Sequence, residues 1–202
     1  MSLEGKVAIV TGGAGGIGMG IVAFNFVSPS SRAAAESLVE SLRNGGHEAF
    51  CIQADLANVQ APATLISEVL SSFKTTDINI LVNNAGLGDN RPLGEVTHES
   101  YNTLMDINVR AGVFTTQAVL PYITRGGRIT NLSSTSARGG YPTQSIYAAS
   151  KAAIEGLARN VPASQRCGTT QDFADIITFL AEERSRWVTG GVICSDGGMV
   201  YT

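Results

Sequence analysis

The chain has 202 residues, of which 44% are hydrophobic and 15% charged, so its length and composition suit one globular domain with a substantial core. A net charge of −3 without any basic run excludes the electrostatic pattern of proteins that bind nucleic acid or an anionic membrane. No apolar run is long enough to span a bilayer, and we expect no signal peptide before the first strand.

The cysteines and histidines are few and scattered. Cys51, Cys167 and Cys194 show no disulfide framework and no closely spaced pair. Such cysteines are typical of a reducing compartment, so we expect a cytoplasmic location. His47 and His98 are far apart and outside any metal-ligand pattern, so the sequence predicts no metal site.

The first strand leads directly into a glycine-rich turn. Lys6–Thr11 is apolar without alternation, which predicts a strand buried on both faces. Thr11–Gly18 then fits T-G-x-x-x-G-x-G. Glycines in such a turn allow the backbone to approach a pyrophosphate, whose charge faces a helix N-terminus. The pair of segments therefore predicts a dinucleotide-binding loop.

The next segment, Val22–Val27, has two readings. Its β-branched and aromatic residues favour a second strand. Only Met19–Ile21 separate it from Gly18, however, and a crossover between neighbouring parallel strands needs a dozen or more residues, usually a helix. The segment is therefore either the helix after the glycines or the second strand, but not both.

Helices and strands alternate along the rest of the chain. In order they are a helix at Ser31–Asn44, a strand at Ala49–Ala54, a helix at Val59–Phe73, a strand at Ile78–Val82, a helix from about Glu99 to Thr124, a strand at Arg128–Leu132, helices at Ser145–Asn160 and Thr170–Glu183, and a strand at Gly191–Cys194. This alternation predicts an α/β fold. We expect a doubly wound, mostly parallel Rossmann-like sheet with helices on both faces, in a single domain over residues 1–202.

The stretch from Asn131 to Lys151 carries candidate catalytic side chains. Tyr147 and Lys151 are four residues apart, so a helix places them on one face. A free phenol titrates near ~10, and an adjacent ammonium favours its phenolate, which suits acid–base chemistry nearer neutral pH. Ser134 lies at the carboxyl end of a strand, where open α/β sheets bind ligands. A Tyr–Lys pair also occurs as a solvated helix pair, so the remaining motifs decide its meaning.

Five motifs in order resemble the short-chain dehydrogenase/reductase family. They are TGGAGGIG at Thr11–Gly18, ADL at Ala54–Leu56, NNAG at Asn83–Gly86, Asn108 within MDINV, and NLSS…YAASK across Asn131–Lys151, with a family-like last strand in Trp187–Gly198. The chain most resembles 3-oxoacyl-carrier-protein reductases and fungal hydroxynaphthalene reductases. The resemblance implies an NAD(P)-dependent oxidoreductase that interconverts a ketone and a secondary alcohol. It also implies a small-molecule carbonyl or alcohol substrate and a homo-oligomer, either a dimer or a tetramer.

The resemblance also implies a role for each site residue. Tyr147 would exchange a proton with the substrate oxygen, and Lys151 would favour its phenolate and hold the nicotinamide ribose. Ser134 would hydrogen-bond the carbonyl, and Asn108 would hold a water of the proton relay. The implied cofactor-binding residues are Gly12, Gly16, Ile17, Gly18, Asp55, Leu56, Asn83, Ala85, Gly86, Tyr147 and Lys151. Among them the glycines of the first turn would line the pyrophosphate, Asp55 and Leu56 would flank adenine, and Asn83 would lie on the adenosine ribose side.

Structural roles stay open for several of these residues. Asp55 suits a helix N-cap, and Asn83 suits a cap at the end of its strand. Ser134 also suits a turn, and Asn108 also suits a helix kink made by bonding to backbone.

Cofactor preference depends on the end of the second strand. NAD preference usually needs Asp or Glu there, and Val22–Arg32 contains neither. It offers Ser28, Ser30, Ser31 and Arg32, which suit a 2′-phosphate, so we expect NADP(H) rather than NAD(H). The alternative is that Arg32 is a solvated residue at a helix start.

Two parts of the family pattern are missing. One is the helix after the glycines or else strand two; the other is a strand, a Pro-Gly turn and a substrate-covering loop, replaced by Val161–Thr169. The strands at Arg128–Leu132 and Gly191–Cys194 must then pair directly or leave ladder groups unmade. Three explanations fit the missing parts. The chain is a truncated or mis-spliced product, or it is a true short variant, or its continuous numbering runs across gaps. The alternative function is a catalytically silent nucleotide-binding or interaction protein.

Overall fold

A computed structural model describes residues 5–13, 21–160, 170–181 and 183–188. The chain divides into two compact units, residues 1–158 and 159–202, and its organisation as a single domain stays a prediction. No helix within the described ranges is long and apolar enough to cross a membrane.

The first unit is built around a five-stranded parallel sheet. The strands are β1 (Val7–Val10), β2 (Ile21–Phe26), β3 (Ala49–Gln53), β4 (Ile78–Asn83) and β5 (Ile123–Asn131). They lie in the order β3-β2-β1-β4-β5, and every neighbouring pair is parallel. Because the chain winds outward in both directions from β1 and β4, ligands are expected in the crevice beyond the carboxyl ends of these two strands. The predicted doubly wound fold is confirmed.

The segment with two readings is the second strand. Ile21–Phe26 pairs with β1 on one side, from Val7↔Ile21 to Val10↔Phe24, and with β3 on the other. The link from β1 to β2 comprises residues 11–20, which is shorter than an ordinary crossover. Of the two readings of this segment, the structure therefore supports the second strand. Gly16, Ile17 and Gly18 lie outside the described residues.

Helices cover the sheet of the first unit, and a further helix is described in the second unit. They are α1 (Arg32–Asn44), α2 (Ala61–Phe73), α3 (His98–Met105), α4 (Ala111–Val119), α5 (Ser145–Asn160) and, in the second unit, α6 (Thr170–Ala181). A π-helical turn at Asp106–Arg110 joins α3 to α4. Short 3-10 turns lie at Pro29–Ser31, Leu93–Glu95, Leu120–Tyr122, Thr135–Ala137 and Glu183–Ser185.

The prediction of one helix from Glu99 to Thr124 was wrong at its C-terminal end. The chain leaves the helix through the 3-10 turn at Leu120–Tyr122, and β5 begins at Ile123. Pro121 explains the stop, because it lacks an N–H and its ring obstructs the preceding helical turn. β5 also begins earlier than predicted, since an irregularity around Gly126 (φ +80) hides its first residues from the sequence pattern. The predicted strand at Gly191–Cys194 lies outside the described residues.

Two apolar layers hold the helices to the sheet. On one face, α2 and α4 supply Leu65, Ile66, Val69, Ala111 and Val119 to a core that includes Ile9 and Leu81 of the sheet. In the other layer, Ala35 and Val39 of α1 pack with Phe24 and Phe26 of β2. Helices therefore cover both faces, as predicted, and the polar loops are left to the carboxyl edge of the sheet.

Candidate active site

The loops after β1 and β4 are joined at the crevice. Thr11 donates its N–H to the Val82 carbonyl at 2.9 Å. Its Oγ1 accepts from the backbone N–H groups of Asn84 and Ala85, each at 3.0 Å. The NNAG motif therefore lies directly beside the start of the glycine-rich turn.

Gly12 occupies a position that only glycine fits. Its φ is +64, and a Cβ there would lie 2.9 Å from the Ala85 Cα. Its N–H donates to Asn25 Oδ1 at 2.9 Å, and Asn25 Nδ2 donates to the Ala54 carbonyl at 2.9 Å. Asn25 is 1% exposed, so its side chain fixes the turn to β2 and β3 from within. Sequence reasoning missed Asn25, although a polar residue inside an apolar strand already signals a specific partner.

Tyr147 and Lys151 share one face of α5. The Lys151 ammonium lies 5.8 Å from the centre of the Tyr147 ring. It donates to the Leu132 carbonyl, just beyond β5, at 2.8 Å. Lys151 is only 6% exposed, and this burial lowers its pKa from the ordinary value of 10.5. A Cβ on Gly86 would lie 3.4 Å from the ammonium, so that turn passes close to the lysine.

Asn108 fastens the loop after β4 to the helix bearing Tyr147. Its Oδ1 accepts from the Leu87 N–H at 2.7 Å, and its Nδ2 donates to the Leu87 carbonyl at 2.9 Å. The same amide donates to Ser150 Oγ at 3.0 Å, and Ser150 donates to the Tyr147 carbonyl at 2.7 Å. The partner that sequence reasoning required for this buried amide is therefore Leu87 and α5, not the backbone of its own helix.

Ser134 caps the 3-10 turn that follows β5. Its Oγ accepts from the Ser136 N–H and donates to Ser136 Oγ, both at 3.2 Å. Ser136 in turn donates to Gln144 Oε1 at 2.7 Å, and Gln144 Nε2 donates to Asn90 Oδ1 at 3.0 Å. Sequence reasoning missed Ser136, Gln144 and Asn90. The one available signal was a glutamine three residues before Tyr147, at the start of its helix.

Two of the residues expected near adenosine, Asp55 and Leu56, also have structural roles. Asp55 Oδ1 accepts from the Ala57 N–H at 3.0 Å, so it caps a turn, whereas the N-cap of α2 is Gln60. Leu56 is 3% exposed and belongs to the core.

Asn83 is buried at the end of β4. Its Nδ2 donates to Thr116 Oγ1 at 3.0 Å and to Asn131 Oδ1 at 2.8 Å. Its Oδ1 has no hydrogen-bond partner among the described residues. These contacts tie the strand end to α4 and β5.

The end of β2 carries hydroxyls and a guanidinium rather than an acid. Ser28 Oγ lies 2.6 Å from Ser30 Oγ and 3.1 Å from Ser31 Oγ. Arg32 begins α1, donates to Gln53 Oε1 at 2.7 Å and lies 5.5 Å from the Phe26 ring centre. The Arg32 side chain is 53% exposed, so its guanidinium is open to a ligand.

Comparison with known proteins identifies the family. The family model described as short chain dehydrogenase matches residues 6–165. The chain belongs to the short-chain dehydrogenase/reductase family. Among curated members, it is 36% identical to dehydrogenase OXI1 of Cochliobolus heterostrophus, over 89% of this chain and 97% of that one. It is 32% identical to hydroxynaphthalene reductase arp2 of Aspergillus fumigatus, over 94% and 90% of the two chains.

Solved structures of the same family give the same fold. A blue fluorescent protein from a metagenomic library, in complex with NADPH, is 33% identical with a TM-score of 0.74, and all of both chains is covered. The angucycline C-6 ketoreductase LanV with bound NADP is 29% identical with a TM-score of 0.74, over 98% of this chain and 96% of that one.

Family relatives are longer than this chain. The alignment with the short-chain dehydrogenase/reductase FrzI of Cladobotryum runs over 255 positions and covers 98% of this chain and 97% of the relative. Because this chain has 202 residues, dozens of the relative's positions have no counterpart in it. Since both chains are covered almost end to end, most of these positions are internal. This agrees with the two internal parts of the family pattern that are missing from the sequence.

Proposed function

We propose that this protein is an NADP-dependent oxidoreductase that interconverts a ketone and a secondary alcohol, with Tyr147 as the general acid and base. The observation that carries the proposal is the desolvated Lys151 ammonium held beside the Tyr147 ring, with Ser134 on the neighbouring turn. Family relatives named as reductases and ketoreductases, and neighbours solved with NADPH or NADP, support the same activity.

The described residues fit an NADP cofactor. Gly12 presents bare backbone where a side chain would collide with Ala85, which suits the approach of a pyrophosphate. Ser28, Ser30, Ser31 and Arg32 would hold the 2′-phosphate. Arg32 is available for this contact because its ion pair with Glu36, one helical turn further on, is exposed and therefore weak. Further cofactor contacts would come from Asp55, Leu56, Asn83, Ala85 and Gly86.

The chemistry divides between the cofactor and the side chains. A bound nicotinamide supplies the hydride. The Tyr147 hydroxyl gives its proton to the substrate oxygen during reduction and takes it back during oxidation. Ser134 donates a hydrogen bond to the same oxygen, and Lys151 places a positive charge beside the phenolate that forms. Asn108 holds the loop after β4 in place; its role toward a relay water stays a prediction.

Turnover by a tyrosine variant tests the proposal. We expect the protein to oxidise NADPH in the presence of α-tetralone, β-tetralone or ethyl acetoacetate. Tyr147→Phe removes only the proton donor, so kcat should fall by at least about 100-fold. Its affinity for NADPH, measured by calorimetry, should fall far less than kcat, because the remaining cofactor contacts are kept. Tyr101→Phe, which removes an exposed phenol from α3, is the matched control and should keep wild-type rates.

Two results argue against the proposal in different ways. A Tyr147→Phe variant that turns over like the wild type would remove Tyr147 from the chemistry. NADPH binding without turnover of any of the three carbonyl compounds would favour the catalytically silent nucleotide-binding protein.

The homo-oligomeric state and cytoplasmic location stay predictions.

A further inference from the structure

A chain of side-chain hydrogen bonds leads away from the candidate active site. It runs from Ser134 to Ser136, then to Gln144, and ends at Asn90 in the loop after β4, over successive distances of 3.2, 2.7 and 3.0 Å. Ser136 is 6% exposed, so the middle of the chain is shielded from water. Three of these four residues have no role in the proposed chemistry.

The number of protons available fixes which group donates at each step of this hydrogen-bond chain. Each hydroxyl has one proton to donate, and Ser136 spends its own on Gln144 Oε1. Ser136 Oγ can therefore only accept from Ser134, while the Ser136 N–H donates to the Ser134 oxygen. The Gln144 amide is oriented by its own donation to Asn90. The Ser134 proton is consequently the one that can turn toward another acceptor.

The backbone holds the Asn90 end of this hydrogen-bond chain in place. The Arg91 N–H donates to the Thr143 carbonyl at 2.8 Å, directly beside the contact between Gln144 and Asn90. Thr143 has a φ of +67, a conformation that β-branched residues rarely adopt unless their surroundings impose it. The loop after β4 is also clamped at Leu87 by Asn108. The hydrogen bond between Gln144 and Asn90 therefore lies between two loops that backbone contacts hold together.

We propose that Ser136 and Gln144 are positioning residues that keep the Ser134 hydroxyl a hydrogen-bond donor aimed at the substrate carbonyl. When a carbonyl oxygen arrives, the Ser134 proton turns from Ser136 Oγ to that oxygen, and the Ser136 N–H keeps the Ser134 oxygen in place. No covalent bond forms or breaks in this step. The inference rests on the proposed function and adds the residues through which Ser134 acts.

A double-mutant cycle tests this role, with α-tetralone and NADPH as the probes. Ser136→Ala should lower kcat about tenfold, because a misdirected donor loses transition-state contact, and it should leave the KM for NADPH unchanged. Ser136→Thr retains the hydroxyl and should restore most of the rate. In a Ser134→Ala background, Ser136→Ala should change the residual kcat by less than about twofold, since its effect passes through Ser134.

A second variant and a control separate positioning from folding. Gln144→Leu removes the acceptor of Ser136 without touching either serine, and it should lower kcat in the same way. Ser133→Ala is the control, because it removes an exposed hydroxyl just before the same turn. That hydroxyl donates to Glu155 at 2.9 Å, and its loss should leave kcat unchanged. Thermal unfolding of each variant shows whether a lost rate reflects lost structure.

The outcomes distinguish the two proposals. Additive effects of the Ser134 and Ser136 changes, or a normal kcat in both Ser136→Ala and Gln144→Leu, would overturn the positioning role alone. A wild-type protein that binds NADPH but reduces no carbonyl compound would overturn the proposed function, and the positioning role with it.

Discussion

Asn25 shows how one side chain joins segments that are distant in sequence. It lies in β2, yet its amide bonds the turn after β1 and the end of β3. The apolar residues around it are typical of a buried strand. Its partners were beyond prediction from sequence, because Gly12 and Ala54 meet it only after three strands have paired in register.

Replacing Asn25 should destabilise the fold. Asn25→Leu keeps a similar volume but leaves the Gly12 N–H and the Ala54 carbonyl without their partner, at a cost of about 2–4 kcal/mol in the free energy of unfolding. Asn102→Leu changes an exposed asparagine of α3 and should cost less than about 0.5 kcal/mol. Urea unfolding measures both, and equal effects would contradict the role assigned to Asn25.

Lys151 should make stability depend on pH. Burial lowers the pKa of Lys151, so the folded protein binds that proton less tightly than the unfolded chain does. Keeping the lysine charged therefore destabilises the fold at neutral pH. This cost shrinks as the pH rises through the lowered pKa toward 10.5.

The matched variant Lys151→Met isolates this effect. The unfolding free energy of Lys151→Met minus that of the wild type should be greatest at neutral pH and should decrease as the pH rises. Urea unfolding over a series of pH values measures the difference. A difference that stays constant with pH would mean that burial does not perturb the lysine.

Elements were predictable where the pattern was local. Helical spacing of apolar residues located α1, α2 and α5 to within two residues at each end. The turn from α4 to β5 was not located, because Pro121 and the irregularity at Gly126 interrupt both periodicities. At the site, the Tyr147–Lys151 pair followed from helix spacing, whereas the chain through Ser136 and Gln144 depends on how two loops pack.

The turn after β1 can be tested by comparing two glycines. Gly12 and Gly46 both have positive φ, +64 and +83, but only Gly12 has a neighbour where a Cβ would be added. Gly46→Ala should cost about 1 kcal/mol of stability from backbone strain and leave NADPH affinity unchanged. Gly12→Ala adds a collision with Ala85 and should weaken NADPH binding more than tenfold. Equal affinities in calorimetry would contradict a cofactor loop at Gly12.

At the scale of the whole molecule, the family motifs predicted the fold and the missing segments together. Which segment was missing before β2 was beyond sequence reasoning, because the residues of VAFNFV favour a strand whereas the short link before them favours a helix. Pairing with β1 and β3, which is non-local, decides for the strand. The short link at residues 11–20 contains the glycine-rich turn, so cofactor binding is the property that the missing segment affects most directly.

Thermal unfolding of the 202-residue protein with NADPH, with NADH and without nucleotide makes that measurement directly. A ligand that binds only the folded state raises Tm. We expect NADPH to raise Tm by several degrees and by more than NADH at equal concentration, with Arg32→Ala narrowing the gap between the two. No rise with either nucleotide would contradict a dinucleotide site in this chain, and equal rises would contradict the NADP preference.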